Sequence, residues 1–154
     1  MYIHNVKLKG TGSYLPQKII TNHDISKNID TTHDWIYNNL GIRERRIVGD
    51  ESVSDLGVKS AIKAISNSHV SYDDIDMIVV ATSSPERISP STACTIHRKL
   101  GLKRQIPCFD INAVCAGFLF SIGVIAPLVS CGMYKNILIV GTEAYSNITD
   151  YTHR

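Results

Sequence analysis

Four cysteines, at 94, 108, 115 and 131, are the residues of this chain best suited to covalent chemistry, because a thiolate is both a strong nucleophile and a soft metal ligand. None of their spacings gives the paired Cys-x-x-Cys of a structural zinc site. Cys115 stands apart. It follows the apolar string Cys108-Phe109-Asp110-Ile111-Asn112 after a short Ala113-Val114 link, and it opens an uncharged stretch that reads as a helix. A thiol at such a junction feels the positive end of the helix dipole and unpaired backbone N–H groups, which favour thiolate and could hold an oxyanion. The competing reading is a small buried hydrophobe. Gly117, two residues on, would let a substrate chain approach closely.

The other candidates are weaker. Gly10-Thr11-Gly12 opens like a dinucleotide fingerprint, but Leu15 stands where the third glycine belongs and Pro16 where a helix must begin, so a turn is expected. Asp73, Asp74 and Asp76 lack the glycine and terminal glutamate of a calcium loop. Six histidines, at 4, 23, 33, 69, 97 and 153, form no His-x-x-x-His pair. Neither a metal nor a cofactor is expected. The N-terminal Met1–Gly10 segment has no apolar export signal, so reduced thiols and a cytoplasmic setting are the expectation.

Elements must position that cysteine, and the composition permits them. Apolar residues make up 44% and charged ones 19%, which excludes disorder as the default state. Sixteen Lys and Arg against fourteen Asp and Glu leave +2, too little to suggest nucleic acid. A strand is expected over residues 2–9 and short helices capped by Thr21 or Asn22 and by Thr32, the second ending at Gly41. A longer amphipathic helix starts at Ser52 or Ser54. The β-branched run 76–82 suits a central strand covered on both faces. A helix over 91–100, a strand over 106–111, a helix from 115 to about 130 and a strand over 136–140 complete the order. This alternation predicts a layered α/β fold with a mixed, mostly parallel sheet. Residues 111–134 carry no charge and could cross a bilayer. Asn112, Ser121, Pro127, Ser130 and the glycines inside the run argue instead for a central helix buried all round, and no membrane span is expected.

With these residues in place the chain resembles the β-ketoacyl-acyl-carrier-protein synthase III family of thiolase-like condensing enzymes. The string Asn112-Ala113-Val114-Cys115-Ala116-Gly117-Phe118 is similar to that family's nucleophile motif, and segments 10–16, 21–22, 34–35, 41–45, 78–82, 89–94 and 149–154 agree in order and spacing. The resemblance implies a layered α-β-α-β-α fold of two similar halves. Residues 1–154 would be the first half, a single domain of an apparently truncated chain. It implies an acyltransferase of fatty-acid or related biosynthesis that loads an acyl-CoA primer on Cys115 and condenses it with malonyl-acyl-carrier protein. It further implies that Thr31, Trp35 and Arg154 bind CoA, with Trp35 and Arg154 on opposite faces of the adenine. Ser89 would border the acyl pocket of the partner subunit in a homodimer, whose usual edge is the strand at 108–112. Two departures matter: Asn39 stands where a CoA-contacting Arg is usual, and Ser89 where Phe is frequent. The family's decarboxylating His and Asn match no residue of the 154. The alternative function is a non-catalytic α/β module that binds acyl-CoA or a protein surface.

Overall fold

The computed structural model describes residues 6–152. The described residues divide into two compact units, 6–14 with 52–143 and 15–51 with 144–152.

The smaller unit contains β1 (Lys18–Thr21), α1 (Asn22–Ile25), α2 (His33–Leu40) and β2 (Glu44–Ile47). The two strands pair antiparallel, with Lys18 opposite Ile47 and Thr21 opposite Glu44. Each helix starts on the threonine expected to cap it. Thr21 and Asp24 form a capping box, and Thr32 Oγ1 accepts the Trp35 N–H at 3.1 Å. Gly41, in the left-handed conformation, ends α2. Asn22 knits the unit together from a fully buried position. Its Nδ2 donates to the Ile42 carbonyl at 2.7 Å and its Oδ1 accepts from Arg45 Nη1 at 2.7 Å.

The larger unit contains α3 (Val53–Ser68), β3 (Met77–Ala81), α4 (Thr92–Leu100), β4 (Cys108–Ile111), α5 (Gly117–Ser130) and β5 (Ile137–Gly141). Its three strands form a parallel sheet in the order β4-β3-β5, with Ile78 opposite both Cys108 and Leu138. Every residue of β3 is buried, as the unbroken apolar run predicts. Because side chains alternate along a strand, Ile78 and Val80 pack with Ala61 and Ile65 of α3 and Ala93 and Ile96 of α4. Met77 and Val79 pack against Ile125 of α5 on the other face. Helices therefore cover the sheet on both sides, the arrangement that parallel strands require.

The structure corrects three details. The uncharged helix is not buried all round. Ser121, Ile125 and Ala126 face inward, but Leu119 and Phe120 are 71% and 60% exposed. A single sheet offers α5 one face, and absence of charge does not distinguish a covered apolar side from an uncovered one. That helix also begins at Gly117, with a 3₁₀ turn over Val114–Ala116 ahead of it. The strand expected over 2–9 lies partly outside the described residues, and 6–9 are irregular. Gly10 and Gly12 serve close approach: a Cβ on Gly12 would collide with the Ser60 carbonyl oxygen of α3. No helix among the described residues is long and apolar enough to cross a membrane.

One electrostatic feature of α3 makes acid sensitivity testable. Lys99 Nζ lies 2.7 Å from Asp55 Oδ1, and Asp55 closes the capping box with Ser52. The Lys99 hydrogen bond, followed by those from Ser52, lowers the Asp55 pKa to about 2 from 3.8. A folded-state value below the unfolded one gives stabilisation that is present above the unfolded pKa and lost as pH falls through the folded one. Replacing Lys99 by Met should therefore cost stability at neutral pH, and the deficit should shrink between about pH 4 and about pH 2. Urea midpoints of both proteins across that range check it. A deficit independent of pH would assign the effect to packing of the lysine stem.

Candidate active site

The C-terminal ends of the three parallel strands converge. Beyond the regular ladder, the Thr82 N–H donates to the Ile111 carbonyl and the Thr142 N–H to the Ala81 carbonyl, each at 3.1 Å. From Ile111 the chain must turn from β4 into α5, and it does so through Val114 at φ 48°. A β-branched residue in the left-handed region is strained, and such strain concentrates at functional sites. The turn displays Cys115, which is exposed. Its thiol has no hydrogen-bond partner among the described residues.

Thr21, Thr32, Ser52 and Ser91 cap the first four helices, whereas no side chain caps α5. The 3₁₀ turn leads into it, with the Ala116 and Gly117 N–H groups donating to the Ala113 and Val114 carbonyls, so the positive end of the α5 dipole follows Cys115 directly. Gly117 serves the protein itself and does not make room for a substrate. A Cβ there would meet the Ala81 side chain at 3.2 Å, so the missing side chain lets α5 seat on the end of β3.

The other thiols sit differently. Burial pushes the Cys108 thiol up to about 11, which suppresses thiolate. Cys94 Sγ is 3.8 Å from the Cys108 carbonyl, and Cys131 Sγ is 3.4 Å from the Leu128 carbonyl at the far end of α5.

Ser89 lies on the exposed loop between β3 and α4, ahead of a cis peptide to Pro90 and beside Ile88, which is 98% exposed. Two carboxylates hold this loop and a third holds the start of the helix that follows it, and none of the three was expected from the sequence to have a role. Glu143 binds residues 82–84. Glu86 accepts from the buried Ser54 hydroxyl at 3.0 and 2.9 Å. Burial acts to raise the Glu86 pKa, but the Ser52 and Ser54 hydrogen bonds and the Lys99 charge outweigh it, so the pKa falls below its ordinary value. Asp110 accepts the Thr92 and Ala93 N–H groups at 2.7 and 2.8 Å, placing a carboxylate at the N-terminus of α4. A lone acid inside the strand Cys108–Ile111 is the signal that could have revealed Asp110, since a charge there needs partners.

In the smaller unit, Trp35 occupies the first turn of α2 with 43% of its surface exposed. The Thr31 hydroxyl oxygen is buried and without a hydrogen-bond partner among the described residues. Asn39 donates to the Trp35 carbonyl at 2.8 Å within its own helix. Arg154 lies outside the described residues.

Known proteins share both the sequence and this architecture. A β-ketoacyl-acyl-carrier-protein synthase III of Clostridium acetobutylicum is 46% identical over 152 residues, which cover 99% of this chain and 46% of that protein. A crystal structure of 3-oxoacyl-acyl-carrier-protein synthase III from Aquifex aeolicus superposes with a TM-score of 0.92 at 36% identity, covering 96% of this chain and 48% of that one. Along nearly its whole length the chain is similar to about half of a β-ketoacyl-acyl-carrier-protein synthase III. The family model, 3-oxoacyl-acyl-carrier-protein synthase III, matches residues 109–154, a span that includes the Cys115 turn. The priming β-ketosynthase of the R1128 polyketide pathway is a further synthase-like neighbour, with a TM-score of 0.91 and 32% identity over 96% of this chain and 44% of its own. The thiolase-like fold expected from sequence is thereby established. The chain spans about half the length of the curated relatives it matches.

Proposed function

We propose that this chain carries the acyl-loading site of a condensing acyltransferase of fatty-acid or related biosynthesis, with Cys115 as the acyl acceptor. One observation carries the reading: Cys115 is displayed on a strained turn at the only α-helix N-terminus among the described residues that no side chain caps. The thiolate attacks the thioester carbonyl of an acyl-CoA, and backbone N–H groups at the helix start stabilise the oxyanion. Collapse of the tetrahedral adduct expels CoA thiolate, which takes a proton from water, and leaves an acyl-cysteine thioester. Malonyl-acyl-carrier protein then loses carbon dioxide, and the resulting carbanion attacks that thioester, releasing Cys115 and a 3-oxoacyl-carrier protein. Loading with radiolabelled acyl-CoA tests the first step: label must be retained by the native chain and lost in Cys115→Ala. Equal label in both would leave only a binding module.

Trp35 is proposed as one face of a clamp on the CoA adenine, with Arg154 as the cation on the other. Thr31 completes the nucleotide contacts, which requires its hydroxyl to turn outward from its buried position. Asn39 cannot supply the phosphate grip of an arginine. The proposed assembly is a cytoplasmic homodimer, with each subunit bordering its partner's acyl pocket through the loop that carries Ser89.

Ser89 lacks aromatic bulk, so the enzyme is expected to accept primers longer than acetyl. Each added methylene that finds room contributes up to about 0.8 kcal/mol. In a dimeric protein of full family length, Ser89→Phe should shift the rate ratio of acetyl-CoA to octanoyl-CoA toward acetyl-CoA. An unchanged ratio would show that Ser89 does not border the pocket.

A further inference from the structure

Glu143, two residues beyond β5, spends its whole carboxylate on three consecutive residues. Oε1 accepts from the Ser83 N–H and the Ser83 hydroxyl, both at 2.8 Å. Oε2 accepts from the Ser84 hydroxyl and, at 3.4 Å, from the Thr82 hydroxyl. A carboxylate offers about four lone-pair sites, so one short segment fills them all. That segment is the direct continuation of β3. Thr82 donates to the Ile111 carbonyl, Ala81 accepts from Thr142, and Gly117 rests its bare Cα against Ala81. The end of β3 is thus held by Glu143 on one side and carries the Cys115 turn on the other.

We propose that Glu143 is a positioning residue for Cys115: by pinning Thr82, Ser83 and Ser84 to the end of β5, it fixes the seat of the turn and so the aim of the thiol. The proposal rests on the reading of Cys115 as the acyl acceptor. A clamp that served stability alone would gain nothing from its place at the catalytic ends of the strands. Here the charge-assisted hydrogen bonds act where a small displacement changes reactivity.

The test uses the whole chain and two exposed thiols of the same helix region. Cys115 and Cys131 are alkylated together by iodoacetamide, and their rate ratio is read by mass spectrometry, alongside loading by acyl-CoA and thermal melting. Glu143→Ala is expected to lower the Cys115 to Cys131 ratio on the order of tenfold, the scale of a modest misplacement. Glu143→Gln, which keeps one acceptor oxygen, should recover part of it. Ser84→Ala should lower the ratio less, and adding it to Glu143→Ala should cost little more, because the two share one interaction. A lowered melting temperature with the ratio unchanged in Glu143→Ala overturns the proposal. If Glu143→Ala does not fold, Ser84→Ala decides in the same way. Failure of the native chain to load acyl-CoA, with the alkylation ratio still falling in the variants, would overturn the acyl-acceptor reading and leave the positioning role standing.

Discussion

The 154-residue chain on its own should release carbon dioxide from malonyl-acyl-carrier protein at least about a thousandfold more slowly than family enzymes of full length, because residues that act as one catalytic unit lose nearly everything when some are missing. Decarboxylation builds negative charge on the malonyl thioester, and donors must be aimed at it in advance. The loading step proposed for Cys115 does not need those donors, and a thiol cannot replace them. The family resemblance matches its decarboxylating His and Asn to no residue between 1 and 154, and the chain spans about half of its relatives' length. Release of labelled carbon dioxide from carboxyl-labelled malonyl-carrier protein is the assay. A rate near that of intact relatives would mean that other groups in this chain supply the donors.

Asn22→Leu should cost about 3 kcal/mol, from the loss of two short hydrogen bonds, one of them to a charged guanidinium, made from a fully buried side chain. The Arg45 guanidinium would lose the Oδ1 acceptor it meets at 2.7 Å, and the Ile42 carbonyl the Nδ2 donor it meets at 2.7 Å. Leucine fills similar space but satisfies neither group. The effect should localise to the smaller unit. Hydrogen exchange of the β1 and β2 amides should accelerate while that of β3 stays slow, since stability is distributed by cooperative region. Uniform acceleration across both units would contradict this placement.

The fold was legible where local chemistry settles local structure. Thr32 with Gly41 marks one helix by caps that the backbone cannot do without, and Ser52, one of the two starts expected for α3, caps the other. The run from Met77 to Ala81 declared a doubly covered strand because nothing polar interrupts it. Strands β1 and β2 were not legible: Glu44-Arg45-Arg46-Ile47 has no apolar alternation, and its pairing with Lys18–Thr21 depends on residues about twenty-five positions away in sequence. The outward face of α5 was misread because hydrophobicity reports what a side chain prefers, not what is there to cover it. At the site, the Cys115 junction could be read from its motif. The φ of Val114 and the contact of Gly117 with Ala81 could not, since both arise only when β3 and β4 lie side by side. Asp110, Glu86 and Glu143 are single acids whose partners lie far from them in sequence, so their role is a property of the tertiary structure.

The most direct measurement is the position of the acyl group. The native chain is incubated with an acyl-CoA, digested, and each of the four cysteine peptides is read by tandem mass spectrometry. The acyl mass is expected on the Cys115 peptide well ahead of Cys94 and Cys131, and least on Cys108, whose thiol is held up near 11 by burial. Acyl mass on Cys94, Cys108 or Cys131 in preference to Cys115 would contradict the assignment of the nucleophile and, with it, the function proposed for the chain.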